Sequence, residues 1–290
     1  MGDLSLDHVG FMVWDLDAGV AQWERLGFRL SRRSPQMGNV PGEEGMAPWA
    51  TSNSCAMFRE GYLELIGVTN RDNFNPWARF LDRFEGPHIT ALRCQDADAA
   101  YAALSKRIDN FDPPLQRLRN APFGDGERPF KFRNIFSQDE HYPEGRFIVI
   151  EHQTPEVIWQ EELMNQPNGA IRLCEVVFAA EPTDNTIERL QRISGGIAED
   201  GNIGLIKLGG GGVLSVVSPD EFLDFYPGAG EPLRPMVAAV VVGVKHLKET
   251  ADLLSTNGVS VWESSRPSVW VRPTEANGAV IEFIEVGLSL

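Results

Sequence analysis

Leu4-Ser5-Leu6-Asp7-His8-Val9-Gly10-Phe11-Met12-Val13-Trp14 is a short apolar run with one histidine in it, and a helical pattern follows at once. Asp15 or Asp17 can cap a helix over Asp17–Leu26, which Gly27 ends. Phe28–Arg32 is strand-like, and a Gly/Pro-rich loop spans Gln36–Ala50. Two more strands, Asn53–Arg59 and Tyr62–Val68, meet at the tight turn Glu60-Gly61. The unit is therefore strand, helix, three strands.

The same order returns three times. Pro87–Cys94 opens a second unit, with a helix over Asp96–Ile108 and strands at Leu115–Asn120, Phe130–Ser137 and Arg146–His152. Ala170–Ala180 opens a third, followed by a helix at Asp184–Ile193 and strands at Ile203–Leu208 and Val213–Ser218. Met236–Val244 opens the fourth, with a helix at Leu247–Asn257 and three strands ending at Ala279–Val286. Such self-similarity marks an internal repeat. One unit is too small to bury its own faces, but two side by side can close a cup around a core. The pattern predicts two domains of two units each, residues 1–160 and 168–290, divided within Thr154–Pro167.

Composition narrows the function. The 290 residues carry a formal net charge of −15, which repels DNA and anionic membrane surfaces. No apolar run approaches the ~18 residues of a spanning helix. The three cysteines, Cys55, Cys94 and Cys174, are far apart and sit in strand-like runs, so they read as small buried hydrophobes. A cytoplasmic protein acting on a small molecule is expected, without nucleic-acid or membrane partners. An exposed sheet edge on each domain is compatible with a homodimer. The glycine run 209–212 lacks the Lys-Ser/Thr and the helix of a phosphate loop, so it reads as a hairpin turn.

Leu6-Asp7-His8-Val9-Gly10, Tyr62-Leu63-Glu64-Leu65, Pro87-His88-Ile89-Thr90, Phe147–His152 and Asn277–Phe283 together resemble the vicinal oxygen chelate superfamily, the glyoxalase-I, extradiol dioxygenase and bleomycin-resistance group. Glu151-His152-Gln153-Thr154-Pro155-Glu156 looks like its glyoxalase-like domains. The resemblance implies an α+β fold of four βαβββ modules paired into two half-barrels. It also implies a divalent metal held by the first and last strands of each unit. Carried over by position, the ligands are His8, Glu64, His88 and Glu151, with Glu64 or Glu151 as catalytic base.

The residues support a site on their own terms. Each candidate sits among apolar neighbours on its strand face, where an ionisable group is costly unless paired or metal-bound. Two imidazoles with one or two carboxylates suit Zn, Ni, Co, Mn or Fe. His152 points to the opposite face from Glu151 in a regular strand, and a bulge would exchange them. In the second half Glu175 falls at the His8 position, Ser215 at the Glu64 position and Met236 at the His88 position, while Glu282 keeps a closing glutamate. That half reads as a degenerate copy. Arg33, Arg59, Arg119 and Arg133 are available to orient a substrate. Three functions follow: a metal-dependent glyoxalase-like isomerase or lyase, an Fe(II) extradiol-type dioxygenase, or a non-enzymatic binder of the resistance type.

Overall fold

The computed structural model describes residues 3–199, 204–233, 235–264 and 266–287. Ile203, where the sequence reading begins a strand, lies outside them.

Two sheets of eight strands follow one another along the chain. The first holds β1 (Ser5–Val13), β2 (Ser34–Asn39), β3 (Met46–Met57), β4 (Tyr62–Val68), β5 (Gly86–Cys94), β6 (Leu115–Phe123), β7 (Gly126–Phe136) and β8 (Arg146–His152), in the order β2-β3-β4-β1-β5-β8-β7-β6. The second repeats it with β9 (Ala170–Ala179), β10 (Ile197–Glu199), β11 (Gly204–Lys207), β12 (Val213–Val217), β13 (Met236–Val244), β14 (Trp262–Glu263), β15 (Ser268–Val271) and β16 (Val280–Glu285), in the order β10-β11-β12-β9-β13-β16-β15-β14. The helices are α1 (Leu16–Arg25), α2 (Ala78–Leu81), α3 (Ala97–Leu104), α4 (Glu161–Met164), α5 (Thr183–Ser194), α6 (Pro219–Phe225) and α7 (Leu247–Thr256). The result is an α+β fold of two half-barrels. No helix among the described residues is long and apolar enough to cross a membrane.

Local chemistry sets the elements. Asp15 caps α1 by accepting from the amides of Asp17 and Ala18, and Asp96 caps α3 in the same way. One strand is displaced from its expected place: β2 runs over Ser34–Asn39, and Phe28–Arg32 contributes only an isolated bridge, Leu30 to Ala56. Pro35 fits β2 because β2 is an edge strand. The 209–212 glycines do form a hairpin turn, between β11 and β12. The turn also docks on β1: Gly211 accepts from the Leu6 amide, and a Cβ on Gly210 would lie 2.9 Å from the Asp3 carbonyl.

Every opening strand carries the same irregularity. Pairing of β1 with β5 steps from Leu6–Leu92 to His8–Ala91, leaving Asp7 as an extra residue on β1. It then steps from Gly10–Ile89 to Phe11–Pro87, leaving His88 extra on β5. Between β13 and β9 the extra residues are Ala238, Cys174 and Ile171. Such bulges re-aim side chains, and those at Asp7, His88, Cys174 and Ala238 fall at one position of the repeat.

The helix-bearing sides of both sheets share one apolar cluster, in which Phe28 meets Phe283 and Phe147 meets Phe178. Each concave face has a smaller cluster of its own. Met12, Ile66, Ile89, Ile148 and Ile150 belong to the first, and Val177, Val241, Trp270 and Val280 to the second.

Candidate functional site

The bulge in β1 decides what the first cup holds, because it brings two consecutive residues into one polar cluster. Asp7 is fully buried. Its Oδ1 accepts from His8 Nδ1 at 2.6 Å, and its Oδ2 from Arg93 Nε at 2.8 Å and His152 Nε2 at 2.9 Å. Burial by itself raises the Asp7 carboxyl. The charges and hydrogen bonds of His152 and His8 more than offset it and hold the group well below the usual carboxylate range. With Nδ1–H committed to Asp7, His8 turns Nε2 toward Glu64 Oε2, 3.7 Å away. The His8 ring also stacks on Tyr62, with centroids 4.5 Å apart. The Asn53 amide donates to the other Glu64 oxygen.

Trp159 roofs this cluster from the segment after β8. Arg93 lies 4.3 Å from its ring centre, and Trp159 stands edge-on to Tyr62 and His152. Beside the roof is a pocket of about 230 Å³ whose walls include Asn53, Cys55 and Met57 of β3, Arg119 of β6, and Val157 and Ile158. Two arginines bridge the rims of the cup: Arg119 donates to Ser34 Oγ at 2.7 Å, and Arg32 to the Gly124 and Gly126 carbonyls. Burial, with the Glu64 charge beside it, pushes the Cys55 thiol well up, so it is no thiolate nucleophile.

Of the four residues singled out in the sequence, the structure brings His8 and Glu64 together and places His88 and Glu151 elsewhere. The helix caps show why. Asp15 and Asp96 cap equivalent helices, and Ser5 and Gly86 open equivalent strands, both pairs 81 residues apart. At that offset Ile89 is the counterpart of His8, and His88 that of Asp7. Glu64 lies beside Gly10, and the residue beside the matching Ala91 is Ile148. His88 instead packs between the rings of Phe80 and Phe84, with Nε2 donating to the Phe84 carbonyl at 2.9 Å. Glu151 faces α3 and accepts from the Ala97 amide at 2.9 Å. β8 pairs regularly, so Ile148, Ile150 and His152 share its concave face, and His152 joins the site without a bulge.

Asp7, Arg93, Asn53 and His152 are the site residues that sequence reasoning passed over or set aside. Counting back from the capping aspartates would have found the one-residue slip between His8 and His88.

The metal implied by the resemblance can be tested against the donors. The places that would complete a four-ligand set with His8 and Glu64 hold Ile89 and Ile148, both buried and apolar. Asp7 and His152 are engaged with each other. Among the described residues no three His, Cys, Asp or Glu side chains are grouped to hold an ion. The residues present do not fit that metal.

A family model described as "Glyoxalase-like domain" matches residues 6–194. The chain belongs to the glyoxalase-like domain family. With it the chain joins the vicinal oxygen chelate superfamily. Among curated proteins none matches this glyoxalase-like chain. Solved structures share its fold. A hypothetical protein from Staphylococcus aureus has a TM-score of 0.64 at 14% identity, covering 98% of this chain and 100% of that one. A mutant of 4-hydroxymandelate synthase from Streptomyces coelicolor gives 0.64 at 14% identity, covering 98% and 93%. The Mn(II)-bound glyoxalase from Novosphingobium aromaticivorans gives 0.55 at 12% identity, covering 98% and 83%.

The second cup of the glyoxalase-like chain is filled. Glu175 and Ser215 occupy the positions of His8 and Glu64, and the Ser215 hydroxyl donates to Glu175 at 2.5 Å. Glu282, the counterpart of Glu64 on β16, accepts from Tyr226 and is ion-paired with Arg266.

His88 supplies a pH test of its placement. Burial, opposed by the bond to Phe84 and aided by the Arg83 charge, pushes its imidazole down to about 4. An unfolded histidine titrates near ~6.5. As pH falls from about 6.5 toward about 4, the unfolded chain takes up a proton that the folded chain refuses, so stability declines. The full loss is roughly 3 kcal/mol at ~1.4 kcal/mol per pH unit. Urea unfolding at pH 7.5 and 4.5 should show a smaller difference for His88→Leu than for wild type. Equal differences would contradict this environment.

Proposed function

We propose that this protein is a glyoxalase-like isomerase or lyase that moves a proton on a small carbonyl compound bound in the N-terminal cup. Glu64 is the proton carrier, and the Asp7–His8 pair stabilises it in either charge state. One observation carries the reading: His8, oriented by a buried carboxylate, presents its free ring nitrogen 3.7 Å from a glutamate that Asn53 ties to the pocket wall. Of the three ionisable groups, Glu64 is the most accessible, with 14% of its side chain exposed against 5% for His8 and none for Asp7. A base that exchanges protons with a substrate must be the one that reaches it. The dioxygenase reading drawn from the sequence needs His8, His88 and Glu151 on one point. His88 bonds Phe84, Glu151 bonds the Ala97 amide, and the second imidazole that does reach the cluster, His152, turns its Nε2 to Asp7.

The test is exchange of the proton α to a carbonyl in D2O, followed by NMR over a panel of small 2-oxo and 2-hydroxycarbonyl compounds. Wild type should catalyse exchange on at least one, and Glu64→Gln should lower that rate by about 10²–10⁴-fold. Added Mn, Zn, Ni, Co or Fe should leave the rate unchanged. Exchange that survives Glu64→Gln, or that appears only with a metal and vanishes in His8→Ala, would overturn the assignment.

A further inference from the structure

Arg93, Arg133 and Arg146 each have a carboxylate within ion-pair distance. Two arginines of the pocket wall, Arg32 and Arg119, have none among the described residues. Arg32 is tied by one nitrogen to the Gly124 and Gly126 carbonyls, and Arg119 is the freer of the two. Arg119 donates one hydrogen bond, to Ser34, and its guanidinium lies 5.5 Å from the Phe130 ring centre. It is half-buried, in the wall of the 230 Å³ pocket. A guanidinium carries five donors in a planar fork, so most of this one's donors are uncommitted. Its charge also reaches the cup floor, where it opposes the upward push on the Cys55 thiol and the Tyr62 hydroxyl.

The remaining walls define the rest of the ligand. Met57, Val157, Ile158 and Leu163 offer an apolar surface, and Asn53 and Cys55 lie at the Glu64 end. The volume falls below the ~300–1,000 Å³ usual for drug-sized ligands. Glu162 also lines the pocket, so a dianion would meet a carboxylate there.

We propose that the pocket takes a small monoanionic carboxylic acid, with its carboxylate on Arg119 and its apolar body against Met57, Val157, Ile158 and Leu163. This names the substrate class for the proton transfer proposed above and rests on that reading only for which carbon faces Glu64. Asn53, which lines the pocket and donates to Glu64, joins the two sites.

Calorimetric titration of the full chain with three shape-matched probes tests it: phenylacetate, neutral phenylacetamide and dianionic phenyl phosphate. Phenylacetate should bind at least about tenfold more tightly than either of the others, because charge-assisted hydrogen bonds to a guanidinium outweigh neutral ones. Arg119→Met, checked for an unchanged melting temperature, should bring phenylacetate to the level of the amide and leave the amide unaffected. Arg119→Lys should restore only part of the preference. Equal binding of acid and amide, tighter binding of the phosphate, a preference that survives Arg119→Met, or no binding of any probe would overturn the proposal. Glu64→Gln should bind phenylacetate at least as well as wild type. Loss of proton exchange there with binding intact leaves the acid site standing, and intact exchange with no acid preference removes the acid site alone.

Discussion

Asp7→Ala lowers stability by about 3–5 kcal/mol, the cost of removing one member of a buried charged cluster and stranding its partners. Asp7 is the shared acceptor of three donors, His8, Arg93 and His152, and is itself fully buried. Without it Arg93 keeps only the Trp159 face, and one Arg93 nitrogen is already without a hydrogen-bond partner. Thermal unfolding should shift downward by roughly 10 °C. Asp7→Asn keeps the shape and deletes the charge, so it should recover only part of the loss. Because the folded-state carboxyl titrates well below its ordinary value of 3.8, its contribution is present above that value and disappears as pH falls through the lower folded one. The gap between wild type and Asp7→Asn should therefore be full at pH 7 and narrow in strong acid. A melting temperature within about 2 °C of wild type for both variants would show that the cluster does not hold the fold.

Glu282→Ala should cost a similar ~3–5 kcal/mol, and Glu64→Ala no more than about 1.5 kcal/mol, although the two occupy one position of the repeat. The difference lies in their surroundings. Glu282 is completely buried and satisfies Tyr226, Ser268 and Arg266 together. Its removal leaves the Tyr226 hydroxyl, 2.6 Å from it, unpaired in the core. Glu64 makes one hydrogen bond, to Asn53, and faces an accessible cup. Denaturant unfolding of the two variants side by side reads this directly. Equal losses, or a larger one for Glu64→Ala, would mean that the first cup is as much a structural core as the second.

The repeat was legible because it is written in strong local signals. Apolar strand runs, the aspartates at 15 and 96 that cap α1 and α3, and the turn glycines 61 and 209–212 each act within a few residues, and the four units follow from them. The register of the site was not legible. A bulge adds one residue to a strand that is apolar on both faces, and Leu6-Asp7-His8-Val9 bears no mark of it. His88 matched His8 by eye and Asp7 by structure. In β8, Phe147-Ile148-Val149-Ile150 offers no polar residue to separate the concave face from the helix-covered one, so Glu151 and His152 could not be told apart. The second half was read correctly at Glu175 and Ser215, but Met236 was placed two residues early, because the bulge residue of β13 that matches His88 is Ala238.

Two sheets stand on a single apolar interior. Phe28 and Phe147 from the first half press on Phe283 and Phe178 from the second, and the 209–212 turn grips the start of β1. Cutting the chain between the halves would therefore expose core on both sides. Each half helps to hold the other folded, and a change on one side of the shared interior is felt on both.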